Sequence, residues 1–321
     1  MNKFKFYFFL FCSVSILFSC NKSDSVDEVP VRDFDVQYQD DMDMIEDYLN
    51  THYITLENQE IKMSKIDNGQ TKMMDLLSVP DGSFPQLRKK TVEYNDKTYQ
   101  IYYIKYQADN TNPNAVKPSR VDGVLAAYRG TYLNYTTKKV NDVSVTTLNA
   151  TLFEYTPFPS DFLTLDNAVR GWREIFPFFK EGNKTVVDGE PTSYADFGLG
   201  VVFIPSGFAY FNVGRTSSLS GVTIPSYSPL VFTFKLYEVK AADQDSDGVI
   251  SNIEDLNHDG LFTNDDTDGD GVQNLYDSDD DGDGYYTFYE IHKNTDGTII
   301  FEDDDNDGIP NYLDPDRPEQ N

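Results

Sequence analysis

Histidine, cysteine and tryptophan are all scarce in this chain. It holds three His (His52, His258 and His292), two Cys and one Trp in 321 residues. The three His are scattered, so neither a histidine-rich metal centre nor a Ser–His–Asp triad fits. No G-x-G-x-x-G, P-loop or H-E-x-x-H pattern is present, which leaves out the usual dinucleotide, nucleotide and zincin chemistry. Positive charge is short as well: 26 Lys plus Arg face 54 Asp plus Glu, a formal net charge of −28. A surface of that sign repels phosphate, so nucleic acid is excluded as a partner. Both cysteines, Cys12 and Cys20, fall within the first twenty residues, leaving none downstream for a disulfide. The one sustained apolar run, 6–18, has 13 residues, too short to span a bilayer comfortably.

That run has a purpose. Lys3 and Lys5 precede it, and Leu17-Phe18-Ser19-Cys20 follows. A basic start, an apolar stretch and a small-residue boundary make a signal segment. The Cys at that boundary resembles a bacterial lipobox, so residues 1–20 read as a lipoprotein signal peptide with Cys20 as the lipidated residue. Each buried acyl CH₂ contributes about 0.8 kcal/mol of anchoring. Residues 21–33 are polar and aperiodic, a tether between lipid and folded domain.

What is abundant is aromatic: 22 Tyr and 23 Phe, enough for a substantial core. Residues 34–84 read as a helical extension, since Met44, Ile45, Tyr48 and Leu49 recur at helical spacing over 40–51. From Thr91 the pattern turns to strand, densest over 99–106. Residues 123–132 and 229–239 are further strands. Residues 167–180 read as a short helix with Trp172 near its start. The sum is an α+β fold, an antiparallel sheet curled around one helix.

Four ordered blocks sit in that region: Ala127-Tyr128-Arg129-Gly130, Ala168-Val169-Arg170-Gly171-Trp172, Phe203 to Tyr210, and Ile224-Pro225 followed by 230–236. Over residues 85–239 the set resembles the FKBP-type peptidyl-prolyl isomerases. The resemblance implies a pocket for one proline ring. Trp172 would be its floor, and Tyr128, Phe153, Ile224 and Phe232 its walls. The Val169 amide and the Tyr210 hydroxyl would be donors to the bound peptide, and Glu154 would stand where the family carries Asp. Phe158 or Phe162 supplies a further wall. Phe211 takes the place of a family Gly. The resemblance implies turnover without a cofactor and, as partners, proline-containing exported polypeptides.

After Lys240 the chain changes character. Residues 243–316 carry 24 acids against one Lys, a net of −23, leaving −5 for the remainder. Asp243, Asp245, Asp247, Gly248 and Glu254 match a calcium loop in full: alternate oxygens converge, Gly makes the sharp turn, and the twelfth residue closes. The spacing recurs at Asp255, Asn257, Asp259 and Asp266; at Asp266, Asp268, Asp270 and Asp277; at Asp279, Asp281, Asp283 and Glu290; and at Asp303, Asp305, Asp307 and Asp314. The loops abut too closely for flanking helices, and the array resembles thrombospondin type 3 repeats without their cysteines. Ca²⁺ is therefore expected as a structural ion, with the segment loose without it and compact with it. The expected whole is a lipoprotein of the outer membrane, on the periplasmic side or the cell surface, held to the membrane through lipid on Cys20. It would act as a prolyl isomerase. The rivals are a non-catalytic binding module or chaperone of the same fold, and a calcium-dependent structural or adhesive surface protein.

Overall fold

The structure, a computed structural model, describes residues 30–316. The signal segment, Cys20 and tether residues 21–29 lie outside the described residues. Residues 33–316 belong to one compact unit. Among the described residues no helix is long and apolar enough to cross a membrane.

Helix α1 spans Phe34–Thr51, starting six residues ahead of the expected 40. Its start is set by Asp33, whose carboxylate accepts from the Asp35 and Val36 amides at 3.0 and 3.1 Å. Met42, Ile45, Tyr48 and Leu49 form its buried stripe. The rest of the extension corrects the helical expectation. Strands β1 (His52–Glu57) and β2 (Glu60–Lys65) make a hairpin, and only a 3₁₀ turn follows, Met73–Ser78. Asn58 and Gln59 both take positive φ, the two-residue turn that suits the strand twist.

The main sheet uses β3 (Gln86–Tyr94), β4 (Lys97–Lys105), β5 (Gly123–Val140), β6 (Val143–Thr156), β7 (Gly198–Ile204) and β8 (Leu230–Lys240). Their order is β3-β4-β7-β8-β5-β6, every pair antiparallel, with a short seventh strand (Leu163–Thr164) on β5. The late strands β7 and β8 thus join two early hairpins. The sheet is covered on both faces. On one, Ile101, Val202, Ile204, Phe232 and Phe234 pack with Trp172, Ile175 and Phe176. On the other, Tyr102, Ile104, Val201, Phe203 and Val231 pack with Ile45, Tyr48 and Leu49 of α1. Strand alternation sends neighbours to opposite faces, so both sets must be apolar. Every residue of β7 is accordingly buried.

Helix α2 covers only Arg170–Ile175, short of the expected 167–180. Pro177 cannot extend it, and the chain tightens to a 3₁₀ turn, Phe176–Phe178. Across β5 and β6, Gly130 faces Glu154 while Thr131 faces Leu152. Phe153 is therefore the extra residue of a β-bulge, which turns its ring inward to 2% exposure. Gly130 makes this possible: a Cβ there would come within 2.6 Å of Phe153 and 2.7 Å of Phe232. Gly130→Ala is expected to lower stability by about 1–3 kcal/mol through overpacking. A fall in urea midpoint at unchanged slope would show it.

Helix α1 also grips the loop before Tyr210. Asp41, fully buried, accepts from Ser206 N and Oγ at 2.6 Å each, and from Gln37 Nε2 at 2.7 Å. Burial pushes its carboxyl from 3.8 to about 6 against those bonds. A raised carboxyl binds more protons folded than unfolded. Its share of stability, about 3 kcal/mol, is thus present below pH 4 and lost as pH climbs through 6. Asp41→Asn should flatten the pH dependence of the urea midpoint by that amount. An unchanged slope would reject the assignment.

Candidate functional site

A cavity of about 540 Å³ opens between α2, the β5–β6 bulge, β8 and the loop 207–218. Tyr128, Phe153, Glu154, Val169, Trp172, Tyr210 and Phe232 all line it. Trp172 is 3% exposed and lies beneath the Tyr128 and Phe232 rings, each edge-on at 5.1 Å. Phe176 stacks on Trp172 at 4.7 Å and fixes its plane. Edge-to-face packing holds rings rigidly, so the floor and walls are set before any ligand arrives. Phe162 lines the cavity, whereas Phe158 is 90% exposed and does not. Ile224 does not line it either; it is buried in the core, on a two-residue pairing of Thr223–Ile224 with Arg215–Thr216.

Polar and charged side chains share the lining with the rings, among them Glu154, Asn167, Arg170, Arg173, Arg215 and Ser217. The Tyr128 hydroxyl donates to Glu154 Oε1, and Ser217 Oγ donates to Oε2 at 3.3 Å. Burial, then the Glu154 carboxylate, raises the Tyr128 hydroxyl. Burial also raises Tyr210, against the lowering effect of the Arg215 guanidinium 5.3 Å over its ring. Among the described residues, the Tyr210 hydroxyl and the Val169 N–H have no hydrogen-bond partner. Val169 is the N-cap of α2, its carbonyl accepting from Trp172 N at 2.8 Å. Phe211 has φ 40° at the position where the family carries Gly, and its ring packs away on Phe34 and Tyr227. It does not narrow the opening. Sequence reasoning missed Ser217 and Arg215, since nothing in local spacing marks a residue brought in by a distant loop, and it passed over Arg173 beside Trp172 on α2.

The acidic segment holds five loops of one geometry. The sixth position is Gly248, Gly260, Gly271, Gly284 or Gly308, each with φ between 73° and 102°, which only Gly adopts easily. Four loops share a second register. Their buried ninth residues, Ser251, Asn274, Thr287 and Asn311, accept the N–H of the second residue at 2.9–3.3 Å. That repeat is visible in the sequence once the loops are aligned. Carboxylate oxygens converge within 4.8 Å in Asp243/Asp245/Asp247, Asp266/Asp268/Asp270, Asp279/Asp281/Asp283 and Asp303/Asp305/Asp307. In the second loop, which has Asn257 in the middle place, Asp255 accepts from the amides of Asp259 and Gly260 as Asp266 and Asp303 do in theirs. Asp266 accepts from Gly269 and Gly271 and so belongs to the third loop. The buried Asp265, which was not anticipated, faces the second loop, accepting from Leu256 N. Buried oxygens of Asp245, Asp247, Glu254 and Asp280 meet no donor in hydrogen-bond geometry. Desolvation, then neighbouring carboxylates, drives Glu254 and Asp280 up to about 9 and Asp247 to about 7. Oxygen-only, orphaned and mutually close, these groups fit a hard divalent cation.

The segment is docked on the sheet domain. Arg120 joins Gly260 O (2.6 Å) to Glu174 of α2 (2.7 Å), Phe262 and Leu275 pack on Val121, and the Tyr276 hydroxyl donates to Asp166.

Comparison with known proteins gives a partial picture. The family model described as BamM C-terminal matches residues 244–301. No curated protein matches the chain. Among solved structures it is similar to a peptidyl-prolyl cis-trans isomerase from Pseudomonas syringae pv. tomato, at 16% identity over 66% of this chain and 99% of that one, TM-score 0.32. It is also similar to FkpA from Escherichia coli, at 21% identity over 48% of this chain and 53% of that one, TM-score 0.28. A third is wheat FKBP73, at 14% identity over 48% and 50%, TM-score 0.30. The chain spans about half the length of the last two.

Proposed function

We propose that this chain is a peptidyl-prolyl cis-trans isomerase of FKBP type acting on exported polypeptides, anchored by lipid on Cys20 and carrying a calcium-bound tail. The observation that carries the reading is the rigid aromatic box of Tyr128, Trp172 and Phe232, with two donors without partners at its edge, Val169 N–H and Tyr210 Oη. Rotation about an X-Pro bond is slow because amide resonance must be broken, a barrier of about 18–20 kcal/mol. A twisted amide is less charge-separated than either planar form, so a dry apolar box favours it. The donors hold the peptide carbonyls while the proline ring is seated on the indole. No nucleophile is called for, which agrees with a box holding one carboxylate already engaged by two hydroxyls. Bound cations would supply the tail with the positive charge its carboxylates lack, held by the convergent loop oxygens. The signal and lipid features support a place at the outer membrane, on its periplasmic side or the surface.

A protease-coupled assay on prolyl tetrapeptides tests the proposal. Spontaneous isomerisation takes about 10–100 s at 25 °C, so catalysis is read as acceleration over that phase. No acceleration by a folded protein would leave a proline-binding module instead.

A further inference from the structure

Asp280 is the second residue of the fourth loop, outside the one-three-five-twelve ligand pattern. Gln244, Leu256 and Thr267 fill that place in the first three loops. Yet Asp280 is 1% exposed and lies with Asp247 and Glu254 of the first loop, themselves 2% and 0% exposed. One oxygen from each falls within 4.8 Å of the others. Two oxygens bound to one calcium at 2.3–2.6 Å are separated by at most about 5 Å, so the three match a single ion. Asp247 Oδ2, both Glu254 oxygens and both Asp280 oxygens lack a donor in hydrogen-bond geometry. The hydroxyls of Ser251 and Thr287 accept from Gln244 N and Asp280 N and can lend Glu254 and Asp280 one proton each at most, too few for the five oxygens. Among the described residues no Lys, Arg or His pairs with any of the three carboxylates. Three carboxylates buried together without a basic partner must either hold protons or share a cation, and a cation at their centre satisfies all three at once.

We propose that Asp247, Glu254 and Asp280 form an inter-loop divalent-cation site that clamps the first loop to the fourth. The proposal rests on the cation-binding reading of the loops, shares Asp247 and Glu254 with the first loop's motif, and adds from another loop a ligand, Asp280, that no motif contains. Its consequence is topological. Residues between 247 and 280 become a closed ring, and that ring carries every docking contact described above: Gly260 on Arg120, Phe262 and Leu275 on Val121, Tyr276 on Asp166. The clamp holds the ends of the docking strip together; the fifth loop lies outside the ring and need not.

The experiment uses the full mature chain, stripped with chelator and retitrated with calcium alone. Bound ions are counted by native mass spectrometry, and the strip is probed by limited proteolysis. Asp280→Asn should bind one ion fewer and become cleavable between 255 and 276 with the remaining loops loaded. Glu254→Gln should lose an ion too, and the double variant should lose no more than Glu254→Gln alone. Asp305→Asn, in the fifth loop, should leave the strip protected. If the parent chain binds no cation, the loop reading fails and this one with it. If the loops fill but Asp280→Asn matches the parent in ion count and protection, the inter-loop site alone is overturned.

Discussion

Removing divalent cations is expected to unravel residues 243–316 while leaving the sheet domain folded. The two parts draw on different forces. The sheet is sandwiched between apolar layers on both faces, with Ile101, Ile104, Val201, Val202 and Phe203 fully buried. The tail buries few apolar side chains, chiefly Val249, Phe262, Leu275 and Tyr312, against 24 acids. Low hydrophobicity with so large a charge does not hold a chain compact by itself. Each cation bound only to the folded form adds about 2.7 kcal/mol when calcium stands at a hundred times its dissociation constant. Several such sites exceed what the small apolar patch supplies. Limited proteolysis with and without EGTA reads the outcome, with cleavage expected beyond 243 and the 86–240 region left intact. The pH sense follows from the raised carboxyls. Glu254 and Asp280 hold protons folded that they release unfolded, so in the chelated protein tail stability is present at low pH and lost as pH rises toward 9. Equal protection of the tail in EGTA at pH 8 would reject a cation-dependent fold.

Much of this molecule was legible in its sequence because its signals are local. Aromatic and β-branched density marks β4, the Asp-x-Asp-x-Asp-Gly spacing marks the loops, and the ordered aromatic blocks mark residues that line one cavity. What escaped depends on contacts between distant segments. Helix α1 begins at Phe34 because Asp33 caps it and because Phe34 packs on Tyr94, Tyr99 and Phe208, none of which its own periodicity reveals. Residues 52–65 lost the helical pattern to a period of two, which a reading fixed on the preceding helix overlooks. Ile224 sits in the right segment of chain, but its side chain turns into the core. Asp280 looks like one more acid in an acidic run. Its burial against Asp247 follows from how the loops fold back, not from its neighbours in sequence.

On the proposed reading, Trp172→Ala is expected to remove most of the prolyl-isomerase activity, and the structure says how to separate that loss from unfolding. The indole is 3% exposed and touches Tyr128, Phe176 and Phe232, so its deletion costs about 3–5 kcal/mol of stability. Loss of activity near the variant's melting point would therefore mean nothing. Assayed cold, with the fold verified by circular dichroism, the variant reports the pocket alone. On that reading the floor it removes is the surface that buries the proline ring. Burial of a ring-sized apolar group contributes about 1.5–3 kcal/mol, or about 10- to 100-fold in kcat/KM. Tyr210→Phe supplies the complementary test. It keeps the ring that lines the cavity and deletes only a hydroxyl with no partner among the described residues. Stability should hold, while loss of a hydrogen bond to the bound peptide, about 0.5–1.5 kcal/mol, lowers kcat/KM by about 2- to 10-fold. A folded Trp172→Ala protein that isomerises prolyl peptides at the parent rate would place the chemistry elsewhere, because no proline can rest on a floor that is gone.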